Sequence, residues 1–205
     1  MFLAALLALL AQQPTVDHLS ENRGRLLPLE VFNLTFELFL PKDWVPPQGG
    51  GGGAVSRSIL VFLHGRGESG GFDVTNAQSL PLQLATNSSI SPFASSIVLI
   101  PQCPARCAHA NHWLTSTLHL ISKVVREWAV PVLGGDATRV YLTGQSMGGH
   151  GAWTYAAQQP GLFAALVVVC GYSHGALEAG HIAERLARAR LPVAAILAKC
   201  HILGE

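Results

Sequence analysis

Residues 139–158 read RVYLTGQSMGGHGAWTYAAQ and combine two kinds of secondary structure. The first five residues are a short apolar run of the kind found in strands buried on both faces, and the last twelve are compatible with a helix that ends before Pro160. A Gly-x-Ser-x-Gly motif at Gly144, Ser146 and Gly148 spans the junction between them. A serine between strand and helix occupies a sharp, strained turn that projects its hydroxyl above the sheet, and the glycines leave room for neighbouring backbone. Ser146 is therefore the candidate nucleophile.

A second apolar run, SILVFL at 58–63, leads directly into His64, Gly65 and Arg66. Glycines at the end of a buried strand upstream of a nucleophilic serine are typical of one wall of an oxyanion hole. The backbone N–H groups of Arg66 and Met147 are the candidate donors to the negative oxygen of a tetrahedral intermediate. His64 precedes the serine in the chain, so we expect it to order the supporting loop together with Gly65 rather than to accept a proton.

The remaining pattern alternates strands with helices, which predicts an α/β fold with a mostly parallel sheet and helices on both of its faces. The predicted strands are 31–40, 58–63, 96–100, 139–143 and 164–169, and the predicted helices are 116–128, 147–158 and 175–190. One domain over residues 28–205 accounts for all of them. Pro46 to Gly53 are predicted to form a flexible loop, because proline and consecutive glycines disfavour regular structure.

Composition excludes several classes of function. The chain has 205 residues, of which 49% are hydrophobic and only 12% charged, so it is built to bury a large core rather than to be disordered. The net charge of +1 gives no electrostatic basis for binding nucleic acid or an anionic membrane. The apolar run at 2–11 is too short to span a bilayer, and residues 1–11 suit a secretory signal peptide; without one, the protein is expected in the cytoplasm.

Four metal-ligating residue types cluster at Cys103, Cys107, His109 and His112. Structural zinc sites usually separate two ligand pairs by a longer connection, whereas here one residue lies between the pairs. We therefore predict no metal, and a local Cys103–Cys107 disulfide if the protein is exported.

Three segments together resemble the α/β-hydrolase superfamily: YLTGQSMGGHGAW at 141–153, FLHGRGESGG at 62–71 and IPQCP at 100–104. The most similar branch contains phospholipase/carboxylesterases, feruloyl esterases and polyhydroxybutyrate-depolymerase-like esterases, and the likeness covers roughly residues 35–171. It implies a serine hydrolase that cleaves small-molecule esters through an acyl-enzyme without a cofactor. In relatives a tryptophan follows the PQCP segment, so Trp113 either flanks the substrate or packs in the core.

The resemblance also implies a catalytic acid and then a histidine, both after the serine and on loops that follow later strands. No aspartate follows Asp136, and Cys200 and His201 stand near the expected position of the acid. We therefore expect the chain to lack the last strand of the family, as a C-terminal truncation would. Glu178 and His201 satisfy the required order and are the substitute acid and base. Two functions remain open: an ester hydrolase, and a truncated hydrolase-like domain that binds substrate without efficient turnover.

Overall fold

The computed structural model describes residues 14–47, 56–71, 80–87 and 93–196. In these ranges seven strands form one sheet, with helices before and between them. The strands are β1 (Leu26–Val31), β2 (Leu34–Phe39), β3 (Arg57–Leu63), β4 (Ile97–Pro101), β5 (Gly135–Gln145), β6 (Ala165–Val169) and β7 (Val193–Ile196). The helices are α1 (Val16–Glu21), α2 (Leu80–Asn87), α3 (Arg106–Ala110), α4 (Thr115–Val124), α5 (Val130–Leu133), α6 (Met147–Gln158) and α7 (Ala176–Ala189). A 3₁₀ turn, Arg66–Glu68, follows β3, and a π-helical segment, Val125–Ala129, joins α4 to α5.

The strand order is β1-β2-β4-β3-β5-β6-β7. β1 pairs with β2 and β2 with β4 in antiparallel fashion, and all other neighbours are parallel. Because β3 and β5 are parallel neighbours, with Leu63 opposite Gly144, their carboxyl ends meet at the same edge of the sheet. In an open parallel sheet this edge is where ligands bind.

The central strands are apolar because both faces of the sheet are covered. Every residue of β4 is buried, and in β3 only Ser58 is not fully buried. One face carries the larger core cluster, into which α4 and α6 pack, and the opposite face carries a smaller cluster centred on Phe62 and Leu84. No helix within the described residues is long and apolar enough to cross a membrane.

The strand predicted at 31–40 is confirmed as β2, but its first residues are wrong, because Val31 ends β1 and β2 begins only at Leu34. The chain turns at Phe32 and Asn33, which both have positive φ (54° and 61°), and this turn separates β1 from β2 in an antiparallel hairpin. Two consecutive residues with positive φ are typical of a type I′ hairpin turn, which usually contains glycine or asparagine at both positions. Phe32 is unusual at such a position, so the sequence did not indicate the turn. The fold also begins before residue 28, since Leu19 on α1 is part of the core.

The other differences are smaller. The predicted helix at 116–128 extends to Leu133 through the π-helical segment, and the prediction missed α1, α2 and α3. The helix at 147–158 has the predicted bounds, and the helix predicted at 175–190 is shorter by one residue at each end. The predicted signal peptide at 1–11 and most of the predicted loop at 46–53 lie outside the described residues.

Candidate active site

Ser146 lies at the turn between β5 and α6 and has φ 53° and ψ −118°. A non-glycine residue with this backbone conformation is strained, and such residues are concentrated at functional sites. The turn is held at both ends: Ser146 N–H donates to the carbonyl of Val169 at 3.0 Å, and its own carbonyl accepts from His150 N–H at 3.0 Å. The residue is nevertheless exposed. This combination of a fixed backbone and an accessible side chain suits a nucleophile.

The two glycines of the motif are required by close backbone packing. A Cβ on Gly144 would overlap the carbonyl of Gly148, and a Cβ on Gly148 would overlap the carbonyl of Leu63. The first turn of α6 therefore sits directly against the end of β3. This packing brings the serine to the loop that follows β3.

That loop borders the serine. A Cβ on Gly65 would lie 3.8 Å from Ser146 Cβ, so one added carbon would bring this backbone into van der Waals contact with the serine side chain. Arg66 is the first residue of the 3₁₀ turn and has an exposed side chain, whereas Met147 is the first residue of α6 and is fully buried. The structure thus places the two predicted oxyanion donors in the segments that adjoin Ser146 on the β3 and α6 sides.

His64 is 1% exposed and uses both ring nitrogens. Nε2 accepts a hydrogen bond from Cys103 N–H at 3.0 Å, so Nδ1 carries the proton and donates to the carbonyl of Gly65 at 2.7 Å. Trp113 packs against the ring and donates from Nε1 to the carbonyl of His64 at 3.2 Å. His64 is therefore held as a neutral ring inside the loop, as an ordering residue would be.

The burial of His64 predicts a loss of stability in acid. Burial lowers the pKa of His64 to about 4, although its hydrogen bond to Gly65 acts in the opposite direction. Between about pH 6.5 and pH 4 the unfolded chain binds a proton at this position and the folded protein does not, so the free energy of unfolding falls as the pH falls. We expect a decrease of about 2–3 kcal/mol from this group between pH 7 and pH 4.5.

Urea denaturation at the two pH values measures this decrease. The matched variant His64→Gln cannot take up the proton, so it is expected to start less stable and to lose correspondingly less stability over the same interval. An identical loss in both proteins would contradict the assignment to His64.

Glu178 lies at the start of α7, and both of its carboxylate oxygens are engaged. Oε1 accepts from His150 Nε2 at 3.1 Å, and Oε2 accepts from the backbone N–H of His174. Burial alone would raise the pKa of Glu178, but these hydrogen bonds outweigh it and the pKa is lowered. Glu178 thus joins α7 to α6 through its hydrogen bond with His150. Its predicted partner His201 lies outside the described residues.

His150 is a residue that the sequence analysis left without a role. Its ring stacks on Tyr172 at 5.1 Å between centroids and meets His174 edge to face at 4.5 Å. Nδ1 is buried and has no hydrogen-bond partner among the described residues, and burial lowers the pKa of His150 despite the hydrogen bond to Glu178. Tyr172 donates from its hydroxyl to the carbonyl of Asn111 at 2.8 Å. In the sequence, the feature that could have indicated this cluster is the position of His150, four residues after Ser146.

A disulfide joins Cys103 and Cys107, as predicted, so these cysteines are not metal ligands. Within the described ranges no group of three or more histidine, cysteine, aspartate or glutamate residues is arranged to hold a metal ion. Cys170 is also disulfide-bonded.

Trp113 is 3% exposed and packs against Gly151 on α6, so it is a packing residue rather than one that lines the substrate site.

An apolar cavity of about 430 Å³ lies between α6 and α7. Its walls include Trp153, Tyr172, Ile182 and Leu186, and Ser146 is not among the residues that line it. Ligand pockets usually have volumes of about 300–1,000 Å³ and mostly apolar walls. The cavity is therefore large enough for a small molecule, and it lies next to α6 but not at Ser146.

Comparison with known proteins assigns the chain to a family. A model of the Esterase family, described as "Putative esterase", matches residues 33–176. A search of curated protein sequences found no match. Solved structures with a similar fold include a thermostable esterase, with a TM-score of 0.57 and 23% identity over 83% of this chain and 53% of that one.

Two further structures share the fold. The feruloyl esterase module from Clostridium thermocellum has a TM-score of 0.54 and 16% identity over 83% of this chain and 64% of that one. S-formylglutathione hydrolase from Staphylococcus aureus has a TM-score of 0.51 and 17% identity over 82% of this chain and 72% of that one. The present chain spans about half the length of the thermostable esterase. By its family match the chain belongs to the Esterase family and has the α/β-hydrolase fold, which confirms both predictions made from the sequence.

Proposed function

We propose that the protein is a serine hydrolase that cleaves small-molecule carboxylic esters through an acyl-enzyme on Ser146. The observation that carries this proposal is the strained, exposed Ser146 at the β5–α6 turn with the Gly65 loop beside it. Membership of the Esterase family supports the reaction class. The proposed chemistry needs no cofactor.

In the first step Ser146 Oγ attacks the ester carbonyl carbon, and its proton passes to a base. The carbonyl oxygen becomes an oxyanion, to which the backbone N–H groups of Arg66 and Met147 donate. Collapse of the tetrahedral intermediate breaks the bond to the alcohol, which leaves with the proton. Water then attacks the acyl-enzyme, releases the carboxylic acid and regenerates the serine hydroxyl.

The base and its orienting acid are proposed, from chain order alone, to be His201 and Glu178. The hydrogen bonds that Glu178 accepts from His150 and His174 argue against its role as the acid. An orienting acid must accept a hydrogen bond from the catalytic imidazole. Among the described residues no imidazole is hydrogen-bonded to the Ser146 hydroxyl. Any base must therefore come from outside the described residues or move on substrate binding.

This observation supports a second candidate function, a hydrolase-like domain that binds substrate without efficient turnover. An active-site serine enzyme without its base and acid retains only about 10³–10⁴-fold acceleration over water, from the oxyanion hole and substrate binding. The cavity between α6 and α7 gives such a domain a place for an apolar small molecule.

A fluorophosphonate probe separates the two functions, because it reacts with a serine only where a base activates the hydroxyl and an oxyanion hole stabilises the adduct. We expect stoichiometric labelling, located at Ser146 by peptide mass spectrometry, and hydrolysis of p-nitrophenyl acetate and butyrate. A protein that is folded by circular dichroism but is neither labelled nor active would reject the hydrolase and leave the binding domain. Labelling at another serine would reject Ser146 as the nucleophile.

A further inference from the structure

The backbone of Arg66, a proposed oxyanion donor, needs support from outside its own loop. A donor to an oxyanion must be held within about 0.5 Å of its working position. Among the described residues of the loop after β3, the three-residue 3₁₀ turn that contains Arg66 is the only regular structure, and the Arg66 side chain is exposed. Something outside the loop must therefore fix its backbone.

The structure supplies that support from the segment after β4. The side-chain amide of Gln102 donates from Nε2 to the carbonyl of Glu68 at 2.5 Å and to the carbonyl of Cys103 at 3.1 Å. Both amide hydrogens are then used, so the 3.3 Å approach of Gln102 Nε2 to His64 Nε2 is a contact rather than a third donation. The lone pair of His64 Nε2 is in any case occupied by Cys103 N–H.

Hydrogen bonds with the backbone of Cys103 hold the two ends of the loop. Cys103 N–H donates to His64 Nε2 at 3.0 Å, and Gly70 N–H donates to the carbonyl of Cys103 at 2.8 Å. The disulfide to Cys107 closes the supporting turn. The Gln102 bond to Glu68 is the one of these contacts that reaches the 3₁₀ turn containing Arg66.

We propose that Gln102 is a positioning residue for the oxyanion hole, acting through the carbonyl of Glu68 on the backbone of the 3₁₀ turn. This inference rests on the proposed function. Loss of the Gln102 amide frees the turn, and the N–H of Arg66 then spends less time in the position that stabilises the transition state. Since that interaction is stronger in the transition state than with bound substrate, the loss falls on kcat rather than KM.

The test compares Gln102→Met, which keeps the side-chain length but has no donor, with Gln158→Met as the matched control. Gln158 is exposed at the end of α6, away from the loop. We expect Gln102→Met to lower kcat for p-nitrophenyl butyrate about 10-fold, against about 10²–10³-fold for removal of an oxyanion donor itself. KM is expected to stay within about twofold, and the control to match the parent protein.

Hydrogen–deuterium exchange supplies a second readout that needs no turnover. We expect faster exchange confined to residues 64–70 in Gln102→Met and none in Gln158→Met. An unchanged kcat, a rise in KM alone, unchanged exchange at 64–70, or faster exchange throughout the sheet would each overturn the positioning role. If the parent protein lacks Ser146-dependent turnover, the proposed function fails, and the exchange result alone decides whether Gln102 holds this loop.

Discussion

Replacement of Ser146 by alanine is expected to lower kcat/KM for p-nitrophenyl esters by at least about 10³-fold and to abolish fluorophosphonate labelling. In the proposed mechanism the covalent bond to the acyl group forms at Ser146 Oγ, an atom that alanine lacks. Stability should barely change, because alanine and serine tolerate the positive φ of 53° about equally and the side chain is exposed. Initial rates and thermal unfolding of the same preparations measure the two effects.

Ser116→Ala is the matched control, since Ser116 is an exposed serine near the start of α4. It should keep both the activity and the melting temperature of the parent protein. Turnover that persists in Ser146→Ala would show that the hydrolysis comes from another group or from a contaminant. The assignment of the nucleophile would then have to be abandoned.

Replacement of Gly148 by alanine is expected to destabilise the protein by about 3 kcal/mol or more. The new Cβ would overlap the carbonyl of Leu63, and both positions are backbone held by secondary structure, one in α6 and one at the end of β3. Neither can move without separating the nucleophile helix from the strand it packs on. Urea denaturation measures the loss of stability, and labelling of the residual folded protein reports the displacement of Ser146.

Gly180→Ala is the corresponding control because Gly180 is an exposed residue of α7 and a Cβ there meets nothing within 4 Å. Alanine favours the helix over glycine by about 1 kcal/mol, so this variant should be slightly more stable than the parent. A Gly148→Ala protein as stable as the parent would mean that the contact between α6 and β3 is looser than the structure has it.

The sequence predicted the central part of the fold because burial leaves a simple pattern there. Continuous apolar runs at 58–63 and 96–100 belong to strands with both faces covered, and the Gly-x-Ser-x-Gly motif requires a strand before it and a helix after it. The hairpin turn between β1 and β2 was missed because Phe32 is an unusual residue at the first of its two positive-φ positions. Helix α7 was predicted from the Glu184–Arg188 pair four residues apart and the basic residues of its last turn, although only Leu186 on it is buried.

The candidate site was predictable only in part. Ser146, Arg66 and His64 follow strands, and sequence order shows which strands they follow. The contacts of Gln102 and Glu178 depend on how segments that are distant in the sequence meet in space, for which a single sequence contains no signal. Tertiary packing decides which side chains of distant segments form hydrogen bonds, and the hydrophobic periodicity of the sequence contains no information about that packing.

The pairing of β3 with β5 has a consequence for how the protein matures. The strands are neighbours in the sheet but lie far apart in the chain, with β4 between them in sequence. Contacts between distant segments close large loops and form slowly during folding. In the proposed mechanism the serine and the Arg66 loop act together, and they meet only after this pairing, so we expect a newly made or partly folded chain not to react with a fluorophosphonate. Titration of Ser146 with this probe would then count native molecules rather than all polypeptide.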